Sequence, residues 1–275
     1  MFKDIVVSLS GRGPRDFAAD YAISIAATFG ARIAGISFLY EPVIPDGTLG
    51  GIPVDLIELQ RAENSKVAND AISRFEAGAK KAGVSAETRI LDATFGGAAT
   101  LFAQIARRFD LAVVGQAQRE GGASDELLVE GALFESGRPI VVVPYIQKRG
   151  MTLERVLACW DGGRTAARAI GDAMPFLERA KAVDVVIVAE ERKSDEIGGA
   201  NMSEHLTRHG VAASVKRIAK GDLTVEDVLL SYAADSGADF MVMGGYGHSR
   251  LREFILGGVT RGILASMTVP VMMSH

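Results

Sequence analysis

The chain has 275 residues, 48% of them hydrophobic and 23% charged. That is enough apolar material for a sizeable core and excludes intrinsic disorder as the main state. The net charge of -4 is spread evenly: residues 1–150 carry 16 basic and 18 acidic side chains, and residues 151–275 carry 14 and 16. With neither half basic, bulk attraction to nucleic acid is not expected, although an anion site built from backbone amides needs no net positive charge. No apolar run approaches the roughly 18 residues of a membrane span. The start, Met1-Phe2-Lys3-Asp4, runs into a strand-like segment without a signal-peptide h-region, and Cys159 is the single cysteine. Together these predict a cytoplasmic protein that keeps off membranes.

In chain order, short β-branched runs alternate with helical patterns. Residues 4–9 read as a strand, about 14–29 as a helix, and 32–40 as a second strand. Residues 41–53, rich in proline and glycine, read as a loop, and about 54–82 as a helix ended by Gly83. A strand near 84–91, a helix near 97–108, and strands at 110–115 and 139–144 complete the half. The second half repeats the plan. Strands fall at 155–160, 183–188, 211–218, 239–244 and 269–273, and helices near 164–180, 199–209 and 224–236, with a last helix before the closing strand.

The repeat is also visible in residues. Asp110-x4-Gly115 matches Asp239-x4-Gly244, and Arg138-Pro139-Ile140-Val141 matches Val269-Pro270-Val271-Met272. A period near 130 residues means duplicated domains, too long for a solenoid unit. The expected division is residues 1–148 and 149–275. Strand–helix alternation predicts an α/β fold: two tandem, doubly wound, parallel five-stranded sheets of flavodoxin-like type. Such sheets bind ligands beyond the carboxyl ends of their strands, where strand order reverses. That rule points to the residues after the first and fourth strands of each half.

After the fourth strand of the second half, Gly244-Gly245-Tyr246-Gly247-His248 leads through Arg250 and Arg252 to Gly257-Gly258-Val259-Thr260. The glycines let a ligand approach the backbone, and Gly257-Gly258 opens a helix whose free N–H groups suit phosphate. After the first strand stands Asp161-Gly162-Gly163. Its carboxylate could accept hydrogen bonds from ribose hydroxyls or face an adenine edge. Taken singly, a glycine pair is most often a plain loop and an aspartate there most often a helix cap. It is their joint position that points to a site.

These residues resemble the universal stress proteins of the tandem-domain kind. Nucleotide-binding members carry G-x2-G-x9-G-[S/T], and Gly244-x2-Gly247-x9-Gly257-Gly258 fits all three glycines, with Gly258 replacing the hydroxyl residue. The resemblance implies an adenine nucleotide (ATP, ADP or AMP, with or without Mg) between Asp161 and the glycine loop. It places Val188 and Ala189 beside the adenine, and Met243, Gly244, Gly247, His248, Gly257, Gly258, Val259 and Thr260 around the remainder. The first half departs from the pattern. Ser10 replaces the aspartate, Gln118 the second glycine and Glu126 the third, so this half reads as a degenerate partner domain with one nucleotide expected per chain.

Other candidates point elsewhere less strongly. His205 and His209 have i,i+4 metal-ligand spacing but no third ligand nearby, so no metal site is assigned. Cys159 lies in a buried-strand pattern, and Trp160 suits either the core or a pocket rim. No catalytic residue is assigned. A slow ATPase relying on His248 and a ligand-free interaction module remain open beside the nucleotide-binding stress regulator. The closing strands, 139–143 and 269–273, resemble edge strands that pair across domain interfaces. The two domains are expected to pack together and whole chains to form homodimers, the alternative being a self-contained monomer.

Overall fold

The computed structural model describes residues 1–11, 13–40, 54–118, 123–189, 199–246 and 258–275. The first half runs β1 (Asp4–Ser8), α1 (Phe17–Phe29), β2 (Arg32–Tyr40), α2 (Val54–Ala82), β3 (Ala86–Ala93), α3 (Gly97–Ala106), β4 (Leu111–Gly115), α4 (Ala123–Glu135) and β5 (Ile140–Val143). The second runs β6 (Val156–Cys159), α5 (Arg164–Leu177), β7 (Val183–Ala189), α6 (Gly199–Arg208), β8 (Ala213–Ala219), α7 (Val225–Ser236), β9 (Phe240–Gly244), α8 (Gly258–Ser266) and β10 (Val271–Ser274).

Local chemistry sets several boundaries. α1 starts three residues later than Pro14 suggests, because Asp16 is its cap and accepts the Ala19 N–H at 3.0 Å. It ends on Gly30, which adopts the left-handed conformation at φ 62°. α4 has no counterpart among the sequence-derived elements. Its Leu128, Val129, Ala132 and Leu133 are all buried and Leu127 is 38% exposed, so the apolar residues run nearly consecutively and the helical period is blurred.

The strands form one ten-stranded sheet in the order β3-β2-β1-β4-β5-β10-β9-β6-β7-β8. Each half is parallel throughout, with its own strands ordered 3-2-1-4-5, and order reverses between the first and fourth strands. The halves meet where β5 and β10 pair antiparallel, Val142 opposite Val271 and Ile140 opposite Met273. An antiparallel seam between two like-ordered halves relates them by an approximate two-fold axis. The outer strands β3 and β8 are partly exposed and carry Glu87, Arg89, Lys216 and Arg217, charges that discourage further pairing.

Helices cover both faces, and each core layer runs through both halves. On one face Phe2 and Phe29 of the first half pack on Phe176 of the second, with ring centroids 5.0–5.3 Å apart, and Phe176 packs on Phe240. Each fully buried phenylalanine contributes about 1.5–3 kcal/mol, so much of the apolar stabilisation is shared between halves. The buried carboxylate of Asp184 is paired as burial demands. Asp184, the second residue of β7, accepts from Arg155 Nη1 at 2.8 Å, Ser214 Oγ at 2.8 Å and Tyr232 Oη at 3.1 Å.

Candidate functional site

The carboxyl ends of β6, β7 and β9 enclose a cavity of about 270 Å³ with the N-termini of α5 and α8. Asp161, Val188, Met243, Gly244, Gly258, Val259 and Thr260 all line it. Ala189 is not among the lining residues; its carbonyl accepts the Lys220 N–H at 2.9 Å. Gly247, His248 and Gly257 lie outside the described residues. The wall also includes Trp160, Thr165, Ala166, Val186, Leu229 and Tyr246. Of these only Trp160 was expected near a pocket rim; Thr165, Ala166 and Leu229 come from helix turns that face the strand ends, Val186 from β7 and Tyr246 from the turn after β9.

Asp161 is exposed, and its Oδ1 accepts the Gly163 N–H at 2.7 Å. That bond fixes the carboxylate over the cavity mouth ahead of α5 and leaves Oδ2 outside this contact. Gly163 caps α5 without a side chain. Gly244 is needed for a different reason from ligand access: a Cβ there would stand 2.5 Å from Thr165 Oγ1 and 2.6 Å from the Ala166 nitrogen. The absent side chain lets β9 close against α5. At Gly258 a Cβ would meet nothing within 4 Å among the described residues.

The turn leaving β9 is held tightly. Tyr246 has φ 50°, a left-handed conformation costing a non-glycine residue about 1–2 kcal/mol. Its N–H donates to Thr260 Oγ1 at 3.1 Å, and its ring packs on Phe134 of α4 at 4.8 Å. The buried Thr260 hydroxyl, expected to serve a ligand, therefore also anchors this turn. Burial pushes the Tyr246 phenol up to about 12, with Glu130 adding to the rise, so it stays protonated at neutral pH. Burial and then the charge of Asp161 push the Cys159 thiol up to about 12 as well, which makes it a poor nucleophile.

α8 has no acidic residue in its first turn, so its positive end is available to an anion. His205 on α6 and His209 just past its end lie exposed with rings 4.8 Å apart, and no group of three or more metal-ligand side chains occurs among the described residues.

Residues 152–275 match the sequence profile of the Universal stress protein family. That match lies wholly within the second half of the chain. A curated relative, universal stress protein Slr1230 of Synechocystis, is 24% identical over 178 residues, covering 60% of this chain and 57% of its own length. The chain thus spans little more than half of that relative. A solved universal stress protein from Archaeoglobus fulgidus shares the fold at TM-score 0.71 and 17% identity, covering 98% of this chain and 95% of that one. A putative universal stress protein from Pseudomonas aeruginosa does so at TM-score 0.62 and 15% identity, covering 99% and 93%. Both cover the first half too, so the fold is shared along the whole length of the chain.

The first half has a cavity of its own, about 550 Å³, at the carboxyl ends of β1, β2 and β4. Ser10, Gln116 and Gln118 line it. Glu126 lies in the first turn of α4, where α8 has no acid.

Proposed function

We propose that residues 149–275 form a domain that binds one adenine nucleotide, and that residues 1–148 form a partner domain within a nucleotide-responsive, cytoplasmic stress protein. The observation that supports it most is the cavity where Asp161 and the start of α8 face the same space. Volumes near 300 Å³ are the lower limit for ligand pockets. A cavity of about 270 Å³ suits the nucleoside portion, with phosphates lying toward Gly258 at the positive end of α8. Val186, Val188 and Met243 offer an apolar wall to the base. Asp161, oriented by Gly163, offers its carboxylate to the ribose hydroxyls. Mg, where it accompanies the phosphates, would sit beyond this wall.

The closing strands pair with each other inside the chain, so a homodimer in this reading uses other surfaces. Calorimetric titration with ATP tests the site. Asp161→Ala removes a charged acceptor from an exposed position, so the fold should persist while affinity falls roughly tenfold to a hundredfold, the worth of a hydrogen bond to a charged group. Unchanged affinity would remove the carboxylate from the site.

A further inference from the structure

The first-half cavity is about twice the volume of the second-half one, and its charge is arranged the opposite way. Two helix N-termini reach it. That of α1 is already occupied by the chain's own carboxylate: Asp16 accepts the Ser10 N–H at 2.6 Å and the Ala19 N–H at 3.0 Å. That of α4 carries Asp125 and Glu126 in its first turn. The positive ends that attract phosphate elsewhere are therefore neutralised here by built-in acids. Arg15 is the single cation among the described lining residues, and it is committed to Asp20 at 2.6 Å and to the Lys148 carbonyl at 3.2 Å.

What remains is neutral and hydrogen-bonding. Ser8 and Ser37 are 8% and 3% exposed and line the cavity, and neither hydroxyl has a partner among the described residues. Facing the cavity, these hydroxyls can pair with a ligand hydroxyl or amide. Asn64 gives one amide N–H to the Tyr40 carbonyl at 2.9 Å and sits on the same wall. Leu9, Phe38, Val114 and Leu128 supply apolar surface.

We propose that the first-half cavity is a second ligand site, taking an uncharged molecule of nucleoside size that joins an apolar ring system to hydroxyl or amide groups, and rejecting its phosphorylated counterpart. The loss of the phosphate-binding pattern in this half is then a change of ligand class.

Adenosine and AMP are a matched pair of probes, differing by one phosphate. Two preparations of the full chain silence the second-half cavity: wild type saturated with ATP, and Val188→Trp, which fills that cavity and keeps the test independent of the nucleotide reading. In calorimetry, each preparation should bind about one adenosine per chain and AMP at least tenfold more weakly. Val67, 41% exposed on the cavity rim, can become tryptophan without disturbing the sheet. Val67→Trp should lower adenosine affinity at least tenfold. The gentler pair Ser8→Ala and Ser37→Ala together should lower it about tenfold, which covers the case of a misfolded Val67→Trp. Absence of adenosine binding in these preparations, AMP binding as tightly as adenosine, or affinity indifferent to both sets of substitutions would overturn the proposal.

Discussion

Gly244 and Gly258 belong to one sequence pattern yet hold their places for different reasons. Gly244 faces backbone and Thr165 at 2.5–2.6 Å, so Gly244→Ala must push β9 away from α5. We expect a loss of about 1–3 kcal/mol, the cost of overpacking, read as a lower midpoint in denaturant unfolding; an unchanged midpoint would contradict the contact. Gly258 meets no such neighbour among the described residues. Gly258→Ser should therefore leave stability alone and strengthen nucleotide binding by about 0.5–1.5 kcal/mol, one neutral hydrogen bond. Looser binding of ATP in calorimetry would contradict a phosphate there. The sequence made the positions of Asp161, Gly244, Gly258 and Thr260 legible, because motif and strand ends coincide. It did not disclose the left-handed Tyr246 held by Thr260, since both depend on how α8 returns to β9.

At the scale of elements, Asp184 joins three of them: β7, β8 through Ser214, and α7 through Tyr232, with Arg155 from the start of β6. Burial raises its pKa, but the hydrogen bonds from Ser214, Arg155 and Tyr232 outweigh burial and hold the carboxyl below its usual range. A lowered folded-state pKa stabilises the protein above the unfolded value, and that stability is lost as pH falls through the folded one. Asp184→Asn should cost about 2–3 kcal/mol at neutral pH, less than a fully buried pair because Arg155 is 38% exposed. It should also flatten the acid side of the stability–pH curve below the ordinary carboxylate range; an equally steep acid side would contradict the pairing. The sequence shows Asp184 only as a charge inside an apolar strand, with partners 29–48 residues away. For the same reason α4 was not legible: it packs toward the sheet and toward the second half together, and its pattern has no single face.

The whole molecule is two parallel sheets made into one by the β5–β10 seam. The duplication and the doubly wound class were legible from strand–helix alternation and the 130-residue repeat. The resemblance marked the closing strands as edges that pair across domain interfaces; whether they do so within one chain or between chains was not legible, because an edge strand carries no record of which edge it meets. Phe2 and Phe29 share a core with Phe176, so neither half retains its packing when the other unfolds. Thermal unfolding should then show one calorimetric transition with equal calorimetric and van't Hoff enthalpies; two separated transitions would contradict a shared core. Nucleotide binding by the second half is tested most directly by denaturing the purified full chain in ATP-saturated, desalted form and quantifying the released nucleotide by mass spectrometry. It predicts one adenine nucleotide per chain, lost when Gly258→Glu puts a carboxylate at the start of α8. Release of none from wild type, or of two per chain, would contradict it.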